Sequence, residues 1–158
     1  MHIFWTLLFV CLVAAPGCSS LPTKGDSIKN TIQTITNIAQ ITLVHIKKLR
    51  TTLPVAPQIE LSTPSIDGLT SITHNLGLLD NELQSPLTEL FTQIQADVSS
   101  LEGRVRSLAI TMDCPVQPKP SREASDTVFP DSQLHQTLTK VQRYLETFIL
   151  HKDKLKVC

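Results

Sequence analysis

Residues 113–129 read DCPVQPKPSREASDTVF, and the fold turns on how this stretch is spanned. Prolines at 115, 118 and 120 deny it a helix, because each lacks the amide hydrogen a helix interior needs and biases the residue before it towards extended backbone. About 17 extended residues are nonetheless long enough to carry the chain from one end of a long helix to the other. Before it, Leu87, Phe91, Ile94, Val98, Leu101, Val105, Leu108 and Met112 recur at helical spacing, behind a Ser85-Pro86 start signal and with Glu89 in the first turn. After it, a helix is predicted from Asp131, with Leu134, Leu138, Val141, Leu145, Phe148 and Leu155 spaced by three and four. His151, Lys152, Lys154 and Lys156 close that helix with positive charge, as its dipole favours.

Two further helices precede these. In 26–50, DSIKNTIQTITNIAQITLVHIKKLR, a stripe of Ile28, Ile32, Ile35, Ala39, Thr42 or Leu43, Ile46 and Leu49 outweighs the strand preference of so many Ile and Thr residues, because the Ile residues at 32, 35, 38 and 41 recur by three rather than two. A second helix is predicted from Thr63-Pro64, with Ile66, Leu69, Ile72 or Thr73, Leu76, Leu79 or Asp80, and Leu83 on its seam, weakened by Gly68 and Gly77. The first helix is roughly 37 Å long, and the connector TTLPVAPQIELS (51–62) can run back beside it. Only two or three residues separate the second helix from the third, enough for a hairpin alone. Long, short and long connectors predict an all-α, four-helix bundle with up-up-down-down topology and two long crossovers, where short connectors throughout would predict a simple up-down bundle.

Residues 1–20, MHIFWTLLFVCLVAAPGCSS, carry no charge and hold an apolar run too short to span a bilayer as a helix, so they read as a secretory signal peptide. Cleavage after Ser20 is favoured over cleavage after Gly17, and the lack of basic residues argues against lipidation of Cys18. The expected organisation is therefore a signal peptide, 1–20, and one helical domain, 21–158. Removing the signal leaves Cys114 and Cys158, which in an oxidising compartment are expected to form one intramolecular disulfide, with an interchain bond or two free thiols as the alternatives. In the chain-entropy description such a bond contributes on the order of 4 kcal/mol. Both cysteines then lie where a helix of the predicted bundle ends.

The formal net charge is zero, which gives no basic excess for nucleic acid. No zinc-binding pair, phosphate loop or nucleophile elbow occurs, and His45, His74, His135 and His151 are scattered, so neither a catalytic residue nor a metal or cofactor is expected. His45 and His151 read as surface residues near helix ends. Asp80 with Glu82, or Asp97 with Glu102, would serve as an acid and base only in principle, since such pairs on amphipathic helices are commonly solvated. Outward positions of the first and third helices are neutral amides and hydroxyls for the most part, unlike the cationic faces of membrane-surface helices. They suit a protein-binding face as well as simple solubility. After the signal the aromatics are Phe91, Phe129, Tyr144 and Phe148, so the core must be built from Leu, Ile and Val.

The stretch QIQADVSSLEGRVRSLAITMDCP (93–115), the final Cys158, the opening LPTKGDSIKNTIQTITNI (21–38) and the Ser-containing entry to the last helix together resemble the leptins, hormones of the long-chain helical cytokine family, in a divergent form such as a fish leptin. The resemblance covers the whole chain after the signal. It implies a secreted, monomeric hormone without cofactor that binds a leptin receptor-like class I cytokine receptor and regulates food intake and energy balance, with no nucleic-acid partner and no membrane insertion. It further implies a receptor-binding face at Asn30, Gln33, Thr34, Gln93, Ser100 and Arg104, and a receptor-activation region at Ile59, Glu60, Leu61, Ser132 and Gln133. Two features depart from the family pattern: the only tryptophan is Trp5, in the signal, and the first helix carries neutral residues where charged ones are common. The alternatives are another long-chain cytokine of the growth-hormone or interleukin type, and a non-signalling extracellular helical carrier of apolar ligands.

Overall fold

A computed structural model describes residues 23–53, 60–84, 91–121 and 130–158, with side chains of the last segment described from Leu134 onward. Among the described residues there are four α-helices, α1 (Lys24–Thr52), α2 (Leu69–Leu83), α3 (Thr92–Thr111) and α4 (Pro130–Leu150), the last followed by a short 3-10 helix (Lys152–Lys156). Among the described residues there is no strand. The protein is an all-α bundle with one disulfide, between Cys114 and Cys158, whose Cα atoms lie 5.4 Å apart.

α1 starts two residues before the predicted Asp26. Thr23 caps it, its Oγ1 accepting from the Asp26 amide at 3.3 Å and donating to Asp26 Oδ2 at 2.8 Å, so one orphan donor of the first turn is satisfied. The buried face is Ile35, Thr36, Ala39, Thr42 and Ile46, close to the predicted stripe. Ile41, which lies off that stripe, is exposed, because a repeat of three drifts around a helix of 3.6 residues per turn. The threonines are tolerated inside because Thr36 and Thr42 donate to the carbonyls of Ile32 (2.9 Å) and Ile38 (2.7 Å), which leaves their methyl groups to pack.

α2 departs most from expectation. It begins at Leu69, not at Thr63-Pro64, and residues 60–67 are irregular. Its first donors are met by the far end of the chain: Leu69 N–H donates to Val157 O at 2.8 Å and Thr70 N–H to Cys158 O at 3.3 Å. Ser71 Oγ accepts from the amides of Asp67 and Gly68 at 3.1 and 3.3 Å. Gly68 is required by close approach, since a Cβ there would collide with the Cys158 carbonyl. At Gly77 the approach is less severe: a Cβ would stand 3.1 Å from Pro120 Cδ in the crossover that follows α3, a tight contact that a small shift of the proline ring relieves.

That crossover is held down along residues 115–120. Thr70 Oγ1 donates to Pro115 O (2.9 Å), Arg106 Nη1 to Gln117 O (2.8 Å) and Asn81 Nδ2 to Pro120 O (2.5 Å). Lys119 Nζ forms an ion pair with Asp80, a residue with no solvent exposure. A carboxylate on the seam of α2 is thus compensated from the connector, with weaker support from the amides of Gln84 and Gln95, each at 3.4 Å.

α3 carries the predicted core positions from Phe91 to Met112; the start signal Ser85-Pro86, with Leu87 and Glu89, lies outside the described residues. The connector predicted between the second and third helices likewise falls on residues 85–90, outside the described residues. α3 ends in a Schellman motif, with Cys114 N–H donating to Ala109 O (2.9 Å) and Asp113 N–H to Ile110 O (3.1 Å) while Asp113 takes φ 59°. That turn aims Cys114 at Cys158. α4 stops at Leu150, short of the predicted end, where His151 N–H is shared between the carbonyls of Thr147 and Phe148, both at 3.1 Å. The tighter 3-10 turn then buries Leu155 completely and brings Val157 and Cys158 onto α2. Among the described residues the apolar core is aliphatic apart from Phe91, Tyr144, Phe148 and the half-cystine Cys114, in keeping with the composition.

Candidate functional site

The chemistry that a carboxylate could offer is spent on structure. Each candidate acid has a side-chain partner: Asp80 pairs with Lys119, Glu82 with Lys140 (3.2 Å) and Glu102 with Arg106 (2.7 Å), and Asp97 is hydrogen-bonded to His45 (2.5 Å). Among the described residues no group of three His, Cys, Asp or Glu side chains could hold a metal ion. None of the described helices is long and apolar enough to cross a membrane.

The first surface is built from α1 and α3. Asn30 and Gln33 are exposed on α1 and Thr34 is half-buried; Gln93, Ser100 and Arg104 are exposed on α3. Local helix geometry already uses several of these groups: Thr34 Oγ1 donates to Asn30 O (2.9 Å), and Gln33 Nε2 to Asn37 Oδ1 (2.9 Å). Gln93 Nε2 donates to Asp97 Oδ1 (2.9 Å), and the other oxygen of Asp97 accepts from His45 Nδ1 on α1. His45 is thus no free surface residue near a helix end. Its imidazole and the Asp97 carboxylate form a polar strap between the two helices, and Gln93 is fixed by that strap.

Sequence reasoning passed over Ile41 and Val44, which are 52% and 63% exposed on α1. They flank His45 on the outward side, and so add apolar surface to an otherwise polar face. The available signal was their position: both fall off the buried stripe, where an apolar side chain is worth explaining only because two stand one turn apart.

The second surface is partly described. Glu60 is exposed, and Leu61 is half-buried with its carbonyl accepting from Arg143 Nη1 of α4 at 3.0 Å. Ile59 lies outside the described residues, as do the side chains of Ser132 and Gln133 in the first turn of α4. Beside Leu61, a pocket of about 250 Å³ opens between α2 and α4, floored by Leu79 and the buried Tyr144. The Tyr144 hydroxyl lies near Asn75 without completing a hydrogen bond, and burial lifts its pKa well above the ordinary tyrosine value, against a smaller pull downward from Asn75.

No protein-family model matches the chain. It is similar along its whole length to Leptin-B of Oryzias latipes, with 49% identity over 158 residues that cover 100% of both chains. Identity at that level over a full-length alignment settles the family resemblance read from residues 93–115 and Cys158. The chain belongs to the leptin family.

Proposed function

We propose that this chain acts as a secreted leptin hormone, not an enzyme, which binds and activates a class I cytokine receptor of the leptin-receptor type and thereby regulates food intake and energy balance. The observation that carries the reading is the full-length similarity to Leptin-B. In this reading residues 1–20 direct secretion, residues 21–158 form the hormone, and the free hormone is a monomer that does not insert into membranes.

The reading includes the up-up-down-down arrangement of growth hormone and cytokine bundles. Several contacts support it. The disulfide joins the end of α3 to the segment after α4, and the carbonyls of Val157 and Cys158 reach the start of α2. The first turns of α1 border the same terminal segment, along a groove between Gly25–Thr36 and Lys152–Lys156. His45 to Asp97 and Arg50 to Thr139 (2.9 Å) tie later turns of α1 to earlier turns of α3 and α4.

Two faces divide the work. Asn30, Gln33, Thr34, Gln93, Ser100 and Arg104 supply receptor binding, with Ile41 and Val44 as apolar anchors among them. Ile59, Glu60, Leu61, Ser132 and Gln133 supply activation. The test is a binding and reporter assay against a panel of class I receptors, with Ser132→Ala/Gln133→Ala as the diagnostic variant. Binding retained and signalling weakened on a leptin receptor is the expected result. No response from any leptin receptor, or equal loss of binding and signalling in the variant, contradicts the reading.

A further inference from the structure

A second recess lies far from the pocket beside Leu61. α1 and the 3-10 helix enclose an open groove of about 400 Å³, within the size range of ligand sites. Its apolar floor is Ile28 and Ile32, half-buried against the core, with Thr36, whose hydroxyl is already committed to the Ile32 carbonyl. Its rim carries three exposed lysines, Lys29, Lys152 and Lys156, against one acid, Asp153. Among the described residues no ion pair satisfies any of the three lysines, whereas Arg106, Lys119 and Lys140 are each paired with a carboxylate. On a chain of zero net charge, this is a local excess of positive charge over exposed apolar surface. A neutral apolar ligand would leave the ammonium groups unused, and a small hydrophilic anion would leave the isoleucines wet.

The geometry points to a binding site for an anionic amphiphile: a single carboxylate or sulfate head held by Lys29, Lys152 and Lys156, with an unbranched alkyl tail laid along Ile28 and Ile32. The floor from Gly25 to Thr36 spans roughly 16 Å of helix, enough for a medium-length chain. Both parts of the ligand contribute. The head sets orientation through charge-assisted hydrogen bonds, and each methylene that leaves water raises affinity by about two- to fourfold. The groove borders the proposed receptor-binding face, because Gln33 also lines it, but its head and tail contacts use none of that face's other residues and none of the activation region.

The test is a nuclear magnetic resonance titration of the disulfide-bonded protein with dodecanoate, dodecyl sulfate, octanoate and neutral dodecanol, each below the concentration at which it forms micelles. Shifts confined to the amides of Ile28, Ile32, Thr36 and the 3-10 helix are expected, with dodecanoate and dodecyl sulfate alike and octanoate at least tenfold weaker. Lys152→Glu/Lys156→Glu should weaken binding at least tenfold, and Ile32→Gln should remove the dependence on tail length; both positions face solvent at least in part, and unchanged circular dichroism verifies the fold. Equal binding of dodecanol, indifference to tail length, a preference for a sulfated polysaccharide over dodecanoate, or shifts centred elsewhere would each overturn the assignment. Receptor signalling is a separate readout, so failure here leaves the hormone reading standing and failure there leaves this site standing.

Discussion

Asp80 and Lys119 are the residues whose removal should be felt most. Asp80 has no exposure, and the lysine that compensates it comes from a connector 39 positions further along the chain. Truncating the lysine alone strands a buried carboxylate, so Lys119→Ala should lower stability by about 2–4 kcal/mol in urea denaturation, while Asp80→Leu combined with Lys119→Met should recover most of that loss. Tyr144 gives the pH counterpart. Its folded-state pKa is raised, so the stability it contributes is complete below the ordinary value of 10.0 and declines as pH rises beyond it, since the unfolded chain ionises first. In that alkaline range the slope should reach about 1.4 kcal/mol per pH unit, and Tyr144→Phe should abolish this component in denaturation curves measured from pH 9 upward. Neither pair was legible beforehand. Asp80 stood as an alternative to Leu79 on the seam because a stripe shows which positions are buried, and only the fold shows which distant cation reaches them.

At the level of elements, the buried faces were readable and the boundaries were not. Ile35, Ala39 and Ile46 in α1, and Ile94 to Leu108 in α3, follow directly from a period of 3.6. Thr63-Pro64 misled because a cap signal is local, whereas the donors at the start of α2 find their acceptors at Val157 and Cys158. Gly77 counted against the helix in the sequence, and a proline packs closely over it. The same logic gives a prediction at Gly68. Alanine would be the better helix former almost anywhere, yet Gly68→Ala must displace the last residue of the chain and should cost about 1–3 kcal/mol, measured as a lowered melting temperature with the disulfide intact. An unchanged or raised melting temperature would show that the chain end does not rest there.

For the whole molecule, the α1 and α3 faces are locked together by His45 and Asp97, which makes the candidate receptor-binding surface one unit rather than two independent helices. Asn30 and Gln33 bring no charge to the proposed binding face, and Val44, exposed on the same helix, would be buried by a partner docked there. Val44→Asp should therefore reduce receptor affinity at least tenfold while stability stays within about 0.5 kcal/mol of the parent, read by surface plasmon resonance and thermal melts. The candidate faces themselves were legible only through family resemblance, because hydroxyls and amides on a helix surface look alike whether they meet a receptor or water. A clasp organises this end of the bundle: the Cys114–Cys158 bond holds the chain end against α2, whose first donors are met by the Val157 and Cys158 carbonyls. Amide hydrogen exchange on the oxidised and reduced protein tests it most directly. The amides of Leu69 and Thr70 should be protected in the oxidised form and enter fast exchange on reduction while Ile35 and Ala39 stay slow; equal protection of Leu69 and Thr70 in both forms would contradict the account.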